Sequence, residues 1–382
     1  MQIEEGIVVA GELNAIFVSL ELSRSTWLIT SLSPGGGEKM SRHTVDAGNI
    51  PGLLERLGVL RTKAEQRTGQ TYPIVSIYEA GLDGFWIHRV LVSEGMESHI
   101  VDAASIASSR RKRRVKTDRV DGETLVRTLL AYKRGEPRVC AMLRVPTPEE
   151  EDRRRIGRER KILMSERIKH SNRIKGLLFS QGITTFSPLR RDRRKVLDTL
   201  VTGDGRPLPG YMKRQILREI ERLEQIIDQL VIVDGERDAM LAEAASQDNS
   251  VVRMITNVVG VGPEFASILW SEGLFRHFDN RRQVAAYAGL APTPWQSGSV
   301  AREQGVSKSG NGRLRSMLIQ LAWLWIRHQP SSNLTKWFRE RVERNGGRMK
   351  KTMITALARK LLVALWKYAT AGVVIEGAAM RA

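Results

Sequence analysis

Two aspartates, Asp118 and Asp121, stand three residues apart in the stretch KTDRVDGETL. On a helix, residues at that spacing share one face. Two carboxylates held there repel each other unless a cation lies between them. Mg2+ suits such a place, because it binds through a few carboxylates and through the phosphate oxygens of a substrate. Directly before the pair runs SRRKRRVK, in which Arg110, Arg111, Lys112, Arg113, Arg114 and Lys116 form a dense cationic run. Cations that draw in a phosphate backbone, beside acids that hold a metal against it, would suit chemistry on phosphodiesters. The plainer reading is an acidic first turn that only complements the positive end of a helix.

Two further acids extend the set. Glu79 closes the apolar run IVSIYE, and Glu21 lies within the earlier run IFVSLELS. With Asp118 and Asp121 they make four carboxylates, enough for two Mg2+ ions about 4 Å apart, with Mn2+ as a possible substitute. One ion would activate a nucleophile and the other would stabilise the leaving oxygen. Acids on two strands followed by two on a late helix is the order used by ribonuclease H-like nucleases.

The elements that would position these acids can be read from periodicity. Residues 14–30 give two short apolar runs broken at Ser23–Ser25, and 72–80 and 97–103 give two more, each reading as a strand. Helical patterns lie between them, in IPGLLERLGVLRTKAEQ and GFWIHRVLVSEG. Strands alternating with helices predict an α/β domain with a partly parallel sheet over residues 1–145. The stretch after Thr117 predicts a helix with Leu125, Leu129 and Leu130 inward.

From about 146 to 250 the pattern changes to a helical hairpin or coiled coil. A long charged helix has only a thin apolar stripe, and a second helix carries a seam at Ile216, Ile220, Leu223, Ile227 and Leu230. Two such helices read as an antiparallel hairpin, either a solvated spacer or an arm for nucleic acid or for dimerisation. Residues 251–382 predict a mainly α domain with Gly-rich turns. One of them, VVGVGP, is of the kind that can offer backbone N–H groups to phosphate. Trp323 and Trp325 read as core.

The 382 residues carry a formal net charge of +19, with the basic residues in runs, which points to a polyanionic partner. The single cysteine, Cys140, excludes an internal disulfide and a Cys-based zinc site. The sequence shows neither a secretory leader nor an apolar run near 18 residues, so a cytoplasmic protein off the membrane is expected.

Taken together, IYEAG, KTDRVDGETL, VVGVGPEFAS, YAGLAPTPWQSG and VSKSGNGRLRSML resemble the IS110 family of transposases over nearly the whole chain. The resemblance implies a RuvC-like N-terminal domain with an Asp-Glu-Asp-Asp acid set. Glu79, Asp118 and Asp121 match the last three acids. The first is usually Asp, and here the matching position holds Glu21. The resemblance further implies a serine nucleophile in the C-terminal domain, matching Ser297 in WQSGS; Arg302, Lys308 and Arg313 are local candidates to stabilise charge and bind phosphate there. It implies DNA as donor and target, an element-encoded structured guide RNA, and a homo-oligomer, dimer or tetramer, that shares a composite site. In that case the 216–230 seam would belong to a dimer interface. Two rival readings stand beside it: a junction-resolving endonuclease with no covalent intermediate, and a nucleic-acid-binding protein that has lost its chemistry at Glu21.

Overall fold

The computed structural model describes residues 13–79, 81, 84–102, 105–106, 118–137, 139–247, 250–274, 276–297, 300–308, 310–344 and 346–381, without the side chains of 118–120, 294–297 and 300–304. Arg110, Arg111, Lys112, Arg113, Arg114, Lys116 and Thr117 lie outside the described residues. The chain divides into two compact units, Met1–Pro146 and Thr147–Ala382.

The first unit is built on five strands: β1 (Ile16–Leu22), β2 (Thr26–Leu32), β3 (Ser41–Asp46), β4 (Ile74–Glu79) and β5 (Glu97–Val101). They form one mixed sheet in the order β3-β2-β1-β4-β5. β2 is antiparallel to both β1 and β3, whereas β4 runs parallel to β1 and β5 parallel to β4. Parallel neighbours need crossovers, and α1 (Ile50–Thr68) and α2 (Trp86–Ser93) lie on those connections.

Alternation sorts the side chains to two faces. Ile16, Val18, Leu20, Ile74 and Tyr78 pack with Leu53, Leu57 and Leu60 of α1 and with Ile87 and Leu91 of α2. Phe17, Val75 and Ile77 pack on the other face with Leu125, Val126 and Leu129 of α3 (Asp118–Lys133). A central sheet covered on both faces explains why its strands read as continuous apolar runs.

The second unit opens with two long helices, α4 (Pro148–Phe179) and α6 (Gly210–Ser246), joined through a loop that holds the short α5 (Arg193–Asp198). Thr147 starts α4 with a capping box: its hydroxyl accepts from Glu150 N, while the Glu150 carboxylate accepts from Thr147 N. Ile174 and Leu178, late in α4, pack on Ile216, Ile220 and Leu223, early in α6. Leu163, earlier in α4, meets Ile226, Leu230 and Val233. The pair is therefore antiparallel. The seam of residues 216–230 packs on α4 of the same chain, where it covers the thin apolar stripe of that helix.

The remaining elements are α7 (Val251–Thr256), α8 (Pro263–Ile268) with a π-helical turn at Leu269–Leu274, α9 (Arg281–Tyr287), β6 (Pro292–Ser297), β7 (Val300–Val306), α10 (Gly312–His328), α11 (Asn333–Arg344) and α12 (Lys350–Ala371). Leu318, Leu321, Trp325, Leu357, Leu361 and Leu365 form part of the core of this helical body. The two tryptophans read as core part company. Trp325 is fully buried and donates to Ser332 Oγ at 2.8 Å, whereas Trp323 is 42% exposed. Among the described residues no helix is long and apolar enough to cross a membrane.

Candidate active site

Glu21 and Glu79 sit at the carboxyl end of neighbouring parallel strands, where open α/β sheets place their ligands. The last paired residues of β1 and β4 are Leu20 and Tyr78, so each glutamate stands one residue beyond a matched pair. Alternation puts both on the face of Phe17, Val75 and Ile77, which is the face covered by α3. Adjacent strands run about 4.8 Å apart, so the two acids start from neighbouring backbone positions.

α3 brings its first turns to the same place. Ser19 on β1 donates its buried hydroxyl to Gly122 O at 2.9 Å, which docks the helix on the sheet. Arg42 on β3 pairs with Glu123. Gly122 follows Asp121 directly, and a Cβ there would overlap Glu21 Oε1 and stand 2.5 Å from Thr30 Oγ1. Glycine at 122 is what lets the Glu21 carboxylate lie against the helix that carries Asp121. Asp118 is the first residue of α3, and its side chain lies outside the described residues.

Among the described residues no three His, Cys, Asp or Glu side chains close into a set that could hold a metal. The residues that strand register and α3 bring to this end of the sheet carry hard carboxylate oxygens, the ligand type Mg2+ and Mn2+ take. The cradle left by Gly122 also fits a site that needs Glu21 close to α3.

The second candidate centre is in the other unit. Ser297 ends β6 and pairs with Val300 at the start of β7. Its side chain, that of Arg302, and residues Gly298 and Ser299 lie outside the described residues. The segment after this hairpin is tied to the end of α9. Lys308 N donates to Gly289 O at 3.3 Å and Asn311 N to Tyr287 O at 2.7 Å. Gly310 has φ +92°, and a Cβ on it would overlap the Tyr287 carbonyl oxygen, so only glycine lets the chain pass. Asn311 then caps α10, accepting from Arg313 N and Leu314 N. Lys308 is exposed, as a phosphate-binding cation needs to be.

Arg313 is not exposed in the same way. Its side chain is turned inward to within 3.7 Å of Glu272, which is almost fully buried in the π-helical turn. Asn311 Nδ2 donates to the same carboxylate at 3.0 Å, and Arg158 of α4 reaches it at 3.4 Å. Burial pulls the Arg313 guanidinium below its usual pKa, and Glu272 opposes that shift. Sequence reasoning missed Glu272. Its one signal was a lone acid inside the apolar run ILWSEGL, and π-helical turns recur at functional sites. Its place is to hold the start of α10, just after the serine hairpin, against α4.

Two other features are drawn into the fold. Val259 N in the VVGVGP turn donates to Ala379 O, and Val259 O accepts from Gln329 Nε2. Three arginines early in α4 are engaged by other elements of the same unit. Arg153 lies over the Trp270 ring, Arg154 donates to Ser271 O, and Arg160 pairs with Asp234 and Glu264.

Residues 252–343, from α7 to the end of α11, match the Transposase IS116/IS110/IS902 family. A Sinorhizobium fredii protein that carries the name transposase y4rJ is 67% identical over 378 residues, covering 97% of this chain and 96% of that one. The transposase for insertion sequence element IS1328 of Yersinia enterocolitica is 26% identical over 60% of this chain and 67% of its own. The transposase for insertion sequence element IS1111A of Coxiella burnetii is 29% identical over 59% and 60%. The molecule is of the class that cuts and rejoins DNA. Within that class, the chain belongs to the IS116/IS110/IS902 family of transposases.

Proposed function

We propose that this transposase recombines DNA by Mg2+-assisted transesterification, with Ser297 as nucleophile and a RuvC-like set of Glu21, Glu79, Asp118 and Asp121 as metal ligands. The observation that carries the reading is the convergence of Glu21, Glu79 and the first turns of α3 at one end of the sheet, with Gly122 keeping Glu21 against the helix. Bound Mg2+ would supply charge stabilisation on the phosphate and on the departing oxygen.

In the reaction a bond forms between Ser297 Oγ and phosphorus, and the bond from phosphorus to a deoxyribose oxygen breaks. The serine proton leaves through a base or with the departing oxygen. The reverse step rejoins strands without an external energy source. Exposed Lys308 is suited to hold the phosphate. An element-encoded structured RNA pairing with donor and target DNA, and a dimer or tetramer sharing a composite site, complete the proposal.

The test is a covalent-adduct assay on junction DNA, with and without RNA from the element's noncoding flank. The panel is wild type, Ser297→Ala, Ser299→Ala, Asp121→Asn and Glu21→Ala. An Mg2+-dependent protein–DNA adduct lost with Ser297, Asp121 and Glu21, but kept with Ser299→Ala, is the expected result. Cleavage that survives Ser297→Ala with no adduct would replace this reading by a junction-resolving endonuclease.

A further inference from the structure

We infer that the turn joining α11 to α12 is a docking surface for duplex DNA, held through its phosphates; the inference rests on the recombinase reading above. From Arg339 to Lys351 the chain carries six cations and two carboxylates. Arg339, Arg344, Arg348, Lys350 and Lys351 are exposed, and none of them enters an ion pair among the described residues. The described glycines of the turn are nonetheless tied back to the end of α11. Gly347 N donates to Val342 O at 3.0 Å and Gly346 N to Glu343 O at 2.9 Å, the paired bonds of a Schellman closure. The cations are therefore carried on a backbone that is tied to the end of α11.

Local energetics do not favour this crowding. The first turn of α12 has no acid, its N-cap Met349 makes no side-chain bond, and Lys350 and Lys351 sit at the positive end of the helix. Such an excess of like charge is relieved by a polyanion that releases its counterions on binding.

Duplex is favoured over single strand because stacking platforms are scarce. Trp323 is the exposed aromatic at hand, and Lys350 lies over its ring at 5.5 Å. Single-strand grooves instead offer successive aromatics to successive bases. The polyanion is DNA, because transposases act on DNA.

The experiment measures binding of full-length protein to a duplex of about 30 base pairs across a salt series. The variant is Arg344→Gln/Arg348→Gln/Lys351→Gln. The control, Arg155→Gln/Arg190→Gln/Arg206→Gln, removes the same charge from surface cations paired with Asp152, Asp192 and Asp204. Melting curves check that both triples fold. Three lost phosphate contacts should flatten the slope of log K against log salt by about 2.7, at roughly 0.9 per phosphate. The control should change it by less than half as much.

Equal changes in the two triples would show that only net charge matters and would overturn the proposal. So would a loss confined to an RNA hairpin of equal length. The adduct assay on wild type separates the two readings. An adduct with an unmoved slope sinks this surface and leaves the recombinase. A flattened slope without any adduct does the reverse.

Discussion

The helical arm of α4 and α6 and the turn between α11 and α12 are both rich in arginine, yet they treat it differently. In the arm, Arg160 pairs with Asp234 and with Glu264 of α8, Arg173 and Arg222 share Glu219, and Arg193 and Arg194 of the connecting α5 share Glu224 of α6. At the α11–α12 turn, Arg339, Arg344, Arg348 and Lys351 have no such partner among the described residues. Net charge names the class of partner a basic protein favours. Where the carboxylates fall decides which cations remain for that partner. An antiparallel helix pair brings acids from one helix to bases on the other, as Asp234 and Glu219 of α6 meet Arg160 and Arg173 of α4, so part of its charge is neutralised within it. A short turn has no facing element to do this.

The largest expected effect contrasts glycines in the two halves of this unit. Gly310 has φ +92° and no room for a Cβ, whereas Gly235 in α6 has nothing within 4 Å of that position. Gly310→Ala adds backbone strain of about 1–3 kcal/mol to an overlap with a carbonyl, so a loss of about 3 kcal/mol or more is expected. Gly235→Ala should stabilise by roughly 0.5–1 kcal/mol, the difference in helix propensity. Urea melts of both variants measure this. A Gly310→Ala protein as stable as wild type would mean the close passage at Tyr287 is not needed.

Glu219 comes next. It is almost fully buried between the arm helices, where it binds His170 at 2.6 Å, Arg173 at 3.0 Å and Arg222 at 2.7 Å. Removing one partner of a buried ion cluster costs about 3–5 kcal/mol. Both arginines are about half exposed, and water relieves part of that loss, so Glu219→Ala should cost about 2 kcal/mol. A smaller effect is expected at Glu224, whose replacement tests the comparison most directly. Glu224→Gln frees Arg193 and Arg194, and the arm should then behave like the α11–α12 turn. The salt slope for duplex DNA should steepen by about 1 to 2. An unchanged slope would mean that pairing with Glu224 does not withhold those arginines.

Much of this was legible in the residues, and the exceptions have physical causes. β1, β2, β4 and β5 were visible as apolar runs because the sheet is covered on both faces. β3, SRHTVD, was not, because it is a polar edge strand with its side chains exposed or half-buried. The β6–β7 hairpin was hidden by Pro292, Pro294 and Gly305, which read as loop. Glu21 and Glu79 could be placed at strand ends from sequence. Gly122 could not be recognised as the residue that admits Glu21 to α3, since that depends on a contact across 101 positions. Arg313 is a candidate for charge stabilisation by its nearness to Ser297 in the sequence. The carboxylate that turns it inward, Glu272, is 41 residues away in the chain. Local pattern conveys periodicity well, and it conveys the partner of a charge poorly.

The sheet unit offers a third setting for the same comparison, with the smallest expected effect. Glu97 at the start of β5 accepts from His99 at 2.6 Å and from Lys133 Nζ at 2.9 Å. The His99 hydrogen bond, aided by Lys133 and opposed by partial burial, holds the Glu97 carboxyl at about 2. A folded-state pKa below the unfolded value of about 4.3 means that the unfolded chain binds the proton more readily. The stabilisation is therefore present above about pH 4.3 and is lost as pH falls towards 2. Glu97 is 44% exposed, so solvent screening keeps the effect below about 1 kcal/mol. Wild type and Glu97→Gln should differ slightly in melting temperature at pH 7 and converge by about pH 2. An offset that persists unchanged through that window would assign the difference to packing rather than to the charge on Glu97.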